Sequence, residues 1–256
     1  MSDNGTTLLR SNTSAIPTLT TTPKPKPPSC ISQLLNQPAL NDSQMEELLE
    51  MTKDVVNILE RADLTYMMFA GTLLGSYRHH GIIPWDVDVD LQLDIEEQSK
   101  LENAFRNIPN GKYILIKHNP PIHWKVNFPY KKFPFVDLFF YYHNISHFGE
   151  NLGYKTIVHV ISDIFPLIRR PFSGMWLYAP RNTSKVLEKR LGDIKWCQTP
   201  SSSCLIHCSD IAPWRPFVFR NESFEHFINN GSVKIERESL IINGTVLGVV
   251  DIEILV

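Results

Sequence analysis

The chain has 256 residues, of which 43% are hydrophobic and 20% charged, and its formal net charge is −2. That is ordinary globular composition at a length able to build a substantial core. It excludes the strong basic field with which a protein holds a long polynucleotide or an anionic membrane, so no nucleic-acid partner is expected.

Residues 1–29 are rich in Thr, Ser and Pro and run through PKPKPP. Such a stretch cannot bury a core and reads as a disordered stem, drawn here to residue 35. One mixed α/β domain is expected over 36–256. Asp42 or Ser43 caps its first helix, with Glu46 completing a capping box after Ser43. Met45, Leu48, Leu49, Thr52, Val55, Val56 and Leu59 form one helical face that ends near Arg61. Residues 66–70 read as a short strand. Residues 71–77 read as a turn into a short helix, broken by Gly81 and Pro84. Residues 87–93 alternate acid and apolar and read as a strand. Asp94 caps a helix running to about Asn107, and strands follow at 113–117, 123–127 and 135–142. Beyond 150 the pattern is less regular. Residues 183–191 form a short helix closed by Gly192. Residues 240–256 are rich in Ile, Leu and Val but interrupted by Asn243, Asp251 and Glu253, which suits a pair of strands. The apolar run at the end suggests that the natural chain continues.

Asp86, Asp88 and Asp90 stand two apart, which on a strand puts three carboxylates on one face. Clustered and partly buried, they repel one another and are driven toward their neutral forms. A divalent cation that takes hard oxygen ligands, Mg²⁺ or Mn²⁺, removes that conflict. Such a triplet arises by chance in roughly 3% of chains with this Asp content. However, Val87, Val89 and Leu91 mark the opposite face as buried, and Asp is a poor strand former. A metal site is therefore the stronger reading and a solvated edge strand the weaker one. Upstream, Gly71 and Gly75 in GTLLGSYR let backbone approach a ligand closely, and a helix starting there offers N–H groups to a phosphate. Arg78 lies just beyond. Downstream, Asp137 is set among large apolar residues in KFPFVDLFFY and needs a partner; a shared metal site is one, backbone donors another.

Other polar residues have plainer readings. His79 and His80 fit a diphosphate contact or a solvated helix end. Trp85 fits stacking on a base or, better, the core; the aromatics of 133–142 fit the core; and Lys125, on a strand face with His123, fits a phosphate contact or, more commonly, an exposed strand lysine. Cys197, Cys204, His207 and Cys208 in the loop 197–208 fit disulfides, a Cys₃His zinc site or free thiols, and an oxidising compartment favours disulfides. The sequons point to such a compartment. Asn-x-Ser/Thr opens at Asn4, Asn12, Asn41, Asn144, Asn182, Asn221, Asn230 and Asn243, eight in all, against roughly 2 expected from the composition. No stretch resembles a signal peptide or a spanning helix, so a lumenal location needs an anchor outside this sequence or unusual targeting.

The segment FAGTLLGSYRHHGIIPWDVDVDLQL resembles the signature of the LicD family of phosphocholine and fukutin-type transferases, on the nucleotidyltransferase fold. FVDLFFY and IFPLIRRPFSGMWLYAPRNTSKVLEKRLGD extend the likeness over about 45–197, with the signature region at 66–142. The resemblance implies a mixed β-sheet flanked by helices. It implies transfer of a phosphorylated alcohol, of ribitol phosphate or phosphocholine type, from a CDP-linked donor to a glycan or glycoprotein hydroxyl in the Golgi or ER lumen or outside the cell. It implies Asp86, Asp88 and Asp90 as metal ligands, with Asp137 also catalytic, and Gly71, Thr72, Gly75, Ser76 and Arg78 as holders of donor phosphates. A membrane anchor is expected for the family and is not found among these residues. A cytidylyltransferase and a non-catalytic glycan-binding relative are the alternatives. The sequence departs from the family after Gly192-Asp193, where it reads IKWCQTPSSSCLIHCSDIAPWRP, so either an altered specificity or a loss of activity is the expectation there.

Overall fold

The computed structural model describes residues 29–35, 40–106, 108, 111–118, 123–151, 156–197, 206–211, 215–228 and 231–255. Most of the expected stem, and Cys204, lie outside these residues. Within the span assigned to the stem, Ser29–Leu35 is a helix (α1) whose Ile31 is buried. Helix α2, Asp42–Arg61, is capped one residue earlier than expected, by Asn41. Its side chain accepts from the backbone of Gln44 at 2.9 Å, while Gln44 returns the bond at 3.0 Å. This is a reciprocal box in which Gln replaces the expected Glu. Leu48, Met51, Thr52, Val55, Val56 and Leu59 form the buried face of α2.

Seven strands form the main sheet: β1 (Tyr66–Met68), β2 (Asp88–Asp94), β3 (Ile114–Lys117), β4 (His123–Asn127), β5 (Phe135–His143), β6 (His147–Asn151) and β7 (Thr156–Val160). The order is β1-β2-β5-β4-β3, with β6 on the far end of β5 and β7 beyond it. Only β2 and β5 run parallel; every other pairing is antiparallel. Val89, Leu91 and Leu93 of β2 and Val136, Leu138 and Phe140 of β5 point to one face. There they join α2 and α4 (Gln98–Arg106) in the core. The polar residues at alternate positions are left to the other face, as the period of two requires.

Helix α3, Ala70–His79, follows β1 with no intervening turn. Phe69 ends the strand early by becoming the helix N-cap, and Ala70 takes φ +42°, a left-handed conformation costing an L-residue about 1–2 kcal/mol. α3 packs on β2, on the hairpin β8 (Ile168–Phe172) and β9 (Met175–Ala179), and on α6 (Thr183–Leu191). Helix α5, Ile161–Ile164, precedes that hairpin. The expected helix over 183–191 and its Gly192 cap are found as read. The short strands β10 (Trp196–Cys197) and β11 (Ile206–His207) pair and are tied by a disulfide between Cys197 and Cys208. That pair therefore binds no zinc, and Cys30 is also disulfide-bonded.

The chain closes in a three-stranded antiparallel sheet of β12 (Phe217–Ile228), β13 (Gly231–Ile242) and β14 (Thr245–Leu255). The strands expected at 240–256 are the end of β13 and all of β14. One buried carboxylate joins this sheet to the rest. Glu238 is fully buried and receives Arg170 of β8, Arg220 of β12 and His80 at the end of α3, each at 2.8 Å. Burial alone pushes this carboxyl up. The hydrogen bond from His80 and the charges of Arg170 and Arg220 outweigh burial and hold it down at about 2. A depressed carboxyl stabilises the fold above its ordinary value and loses that contribution as pH falls toward the folded value. Glu238→Gln is therefore expected to cost about 3–5 kcal/mol at neutral pH, because it leaves buried cations uncompensated. It should also flatten the loss of stability below about pH 4.5. Urea unfolding across pH measures both.

Candidate active site

The parallel register of β2 and β5 sets Asp90 beside Asp137, and the antiparallel register of β4 sets Lys125 beside Asp137. An acid–acid–base row thus crosses three strands on the face opposite the core. Asp88 sits two residues before Asp90 on the same face. Carboxylate oxygens of Asp88, Asp90 and Asp137 lie within 4.8 Å of one another. Lys125 Nζ is 3.5 Å from Asp137 Oδ1, an ion-pair contact that leaves this buried oxygen without a hydrogen bond. Three convergent carboxylates with an unsatisfied buried oxygen fit a hard divalent cation.

Asp86 has a different place from the one its spacing predicts. β2 begins at Asp88, so Asp86 lies in the approach to the strand, where its Oδ1 accepts from Val87 N at 3.1 Å. It still borders the cluster, through contact with Asp88. It also presses on α3: a Cβ added to Gly71 would lie 2.6 Å from Asp86 Oδ2 and 3.9 Å from Asp90 Oδ2. A side chain at 71 would therefore displace the Asp86 carboxylate.

The other expected phosphate holders are occupied elsewhere. Thr72 Oγ1 accepts from Asp90 N at 2.7 Å and so fixes the height of β2. Gly75 allows close approach of the Gly81 carbonyl. Ser76 is buried and donates to Pro171 O at 2.9 Å. Arg78, also buried, donates through Nε to Ile194 O at 3.0 Å and through Nη2 to Trp196 O at 2.9 Å. The reason is helical geometry: residue 78 lies about 12 Å down the axis from the N-terminus that meets the acids. What α3 presents to the cluster is its first turn of backbone, whose N–H groups have no partner within the helix. His79 likewise meets no ligand. Its ring is buried against Phe217 and bonded to Pro216 O at 2.7 Å, and burial lowers its pKa to about 4.

Around the row lie residues that sequence reading left in the background. Lys125 lies 3.2 Å over the Phe135 ring and faces Asp137, not open solvent. His123 stacks on Phe139 at 5.2 Å, and Phe139 packs on Phe69 at 4.9 Å. Arg190 lies 3.9 Å over the Phe69 ring, reaches Glu150 at 2.7 Å, and its charge partly opposes the rise of the Asp90 pKa. The parity of 123, 125, 137 and 139 is visible in the sequence, but the register that makes them neighbours is not. Trp85 is partly buried, packed against the small cluster of Cys197, Cys208 and Phe217.

Burial raises all four carboxyls. Asp90 is raised well above the ordinary range, by burial and then by Asp88, Asp86 and Asp137. Asp86 is raised by burial and by Asp88, and Asp88 by burial. Asp137 goes up to about 6 through burial, with Lys125 pulling it back.

The mixed sheet, flanked by helices, thus carries an acid row beneath a glycine-bearing helix N-terminus. Residues 63–182 match the family described as LicD/FKTN/FKRP, nucleotidyltransferase domain. The chain is similar to the mouse (Mus musculus) protein named ribitol 5-phosphate transferase FKRP, 30% identical over 58% of this chain and 32% of that protein. It therefore spans about a third of that relative. A shorter stretch, 19% of this chain and 18% of the other, is 40% identical to the lipopolysaccharide cholinephosphotransferase LicD of Haemophilus influenzae. Among solved structures, a lincosamide antibiotic adenylyltransferase, LnuA, has a TM-score of 0.38 at 12% identity over 59% of this chain and 86% of its own.

Two outcomes are expected. A carboxyl raised in the fold stabilises it below the ordinary carboxylate range and loses that contribution as pH rises through the folded value. The metal-free chain should melt at lower temperature as pH climbs from about 4.5 to 7.5, and Mn²⁺ should raise the midpoint more at the upper end. Asp90→Asn should weaken both trends in a thermal-shift series, since Asp86, Asp88 and Asp137 remain raised. Separately, Gly71→Ala should weaken Mn²⁺ binding in calorimetric titration with little change in stability. Gly75→Ala, whose Cβ meets a backbone carbonyl, should instead cost about 1–3 kcal/mol in urea unfolding.

Proposed function

We propose that this chain is a divalent-metal-dependent transferase that moves a phosphorylated alcohol from a CDP-linked donor to a glycan hydroxyl. The observation that carries the reading is the convergence of Asp88, Asp90 and Asp137 within 4.8 Å. The match of residues 63–182 to that family and the printed activities of the two relatives support the substrate class.

Asp88 and Asp90, with Asp86 beside them, would hold Mg²⁺ or Mn²⁺, which when bound neutralises the donor diphosphate. The first-turn N–H groups of α3 would receive donor phosphate oxygens by backbone, in place of Ser76 and Arg78. The hydroxyl oxygen of the acceptor attacks the phosphorus that carries the alcohol, and the bond to CMP breaks. The hydroxyl proton passes to Asp137. Its value of about 6 leaves it ionised at neutral pH yet basic enough to take a proton. Lys125, 3.5 Å away, keeps that carboxylate charged and aimed. Phe139 and His123 offer a flat wall beside the row on which a base or sugar ring can lie.

The secretory lumen is the proposed location. Asn41, Asn144 and Asn243, each opening a sequon, are exposed, and the Cys197–Cys208 disulfide requires oxidising conditions. No helix among the described residues is long and apolar enough to cross a membrane.

The test is incubation with a panel of CDP-alcohols, a glycan acceptor and Mn²⁺, with CMP followed as product. Metal-dependent CMP release is expected. Asp88→Asn should abolish it, and Asp137→Asn should lower kcat by about 10²–10⁴ with KM little changed. No CMP from any donor, together with no Mn²⁺ thermal shift, overturns the reading. Consumption of CTP with release of pyrophosphate replaces it with cytidylyl transfer.

A further inference from the structure

A second cavity lies at the opposite end of α6 from the acid row. Arg190, near the C-terminus of this helix, acts on Asp90, whereas Asn182, Thr183 and Ser184 at its N-terminus line a cavity of about 500 Å³. The two ends are about 12 Å apart along the axis. The far wall comes from β8 and the C-terminal sheet, through Arg170, Lys234 and Glu236.

We propose that this cavity binds an oxyanion ester, a phosphate or sulfate group carried on a small sugar-like molecule. The first support is unspent positive charge. Arg181 and Lys234 both line the cavity, and neither side chain has a hydrogen bond or ion pair among the described residues. The acids in the wall do not compete for them: Asp163 is held by Lys185 at 2.8 Å, and Glu236 by Arg220 at 2.9 Å. The second support is the helix terminus. α6 has nine residues and no side-chain cap. The side-chain amide of Asn182 turns instead to Asp163 Oδ1 at 3.3 Å. The first-turn N–H groups therefore face the cavity region without an acceptor from the cap. The third is Arg170, 2% exposed and in the same wall. It binds Glu238 through Nη2 only, and its buried Nε has no acceptor. A buried guanidinium with an unused donor, two free cations and an uncapped helix end all favour the same ligand charge. The cavity is several times the volume of a phosphate ion, which leaves room for the carrier. None of these residues belongs to the acid row, so the proposal stands apart from the reading of that row.

Calorimetric titration of the full chain, metal-free and at low salt, with inorganic phosphate, inorganic sulfate, glucose and glucose 6-phosphate tests it. Saturable binding of the anions is expected, with none for glucose. If glucose 6-phosphate binds tighter than phosphate, the ligand is an ester; equal affinity makes it the free ion. The double variant Arg181→Gln, Lys234→Gln should lose at least tenfold in affinity while keeping its unliganded melting temperature, because neither side chain makes a hydrogen bond or ion pair among the described residues. Asp90→Asn should bind as the unaltered chain does. No saturable anion binding, equal binding of glucose, or binding that survives the double variant and changes with Asp90→Asn overturns the proposal.

Discussion

Negative charge brought together by strand register is the constraint that organises this molecule. Two carboxylates about 4 Å apart repel by about 4 kcal/mol at an effective dielectric of 20, and here three share one small volume with a fourth beside them. Each neighbour of the row answers that repulsion. Lys125 is delivered by the antiparallel register of β4. Arg190 comes from the end of α6 and is held flat by Phe69 and Glu150. The first turn of α3 points its unpaired N–H groups at the same place, which is possible because Gly71 has no side chain to displace Asp86. These groups ease the charge without neutralising it, and the raised carboxyls are the remainder. The proposed divalent cation would complete the balance.

α3 links this site to the rest of the fold. Its N-terminus serves the acids, while its C-terminal half is structural. Ser76 holds the β8–β9 hairpin, Arg78 holds the backbone of 194–197 next to the disulfide, His79 packs on Phe217, and His80 joins Glu238. Glu238 in turn locks Arg170 and Arg220, so the C-terminal sheet is fastened to the same helix that shapes the site. A buried carboxylate with three partners is more sensitive to loss of one member than an apolar contact would be, since each remaining charge is left desolvated.

The family match ends at residue 182, one residue before α6 begins. Arg190, the Cys197–Cys208 pair and the C-terminal sheet all follow it. They are nevertheless packed against matched residues: Arg190 on Phe69, Cys197 on Arg78, Glu238 on His80. The segment beyond the match therefore buttresses α3 and supplies one cation to the acid row.

Much of this was legible in the sequence because it depends on local rules. The amphipathic α2, the alternating β2, the helix over 183–191 with Gly192 after it, and the acids at 88, 90 and 137 follow from periodicity, capping and the resemblance that their spacing carries. The errors are equally local. Asn41 and Gln44 form the same box as Ser43 and Glu46 would, two residues earlier, and only packing of the apolar face chooses between them. Tertiary structure alone decided which side chains meet. The register of β2, β4 and β5 put Lys125 beside Asp137 and left Asp86 off the strand, and strand register depends on pairing between segments far apart in the chain. It likewise turned Ser76 and Arg78 inward, because a helix carries successive residues around its axis and away from its end. A motif in sequence lists the residues at a site; the direction each one faces is settled by the elements packed against it.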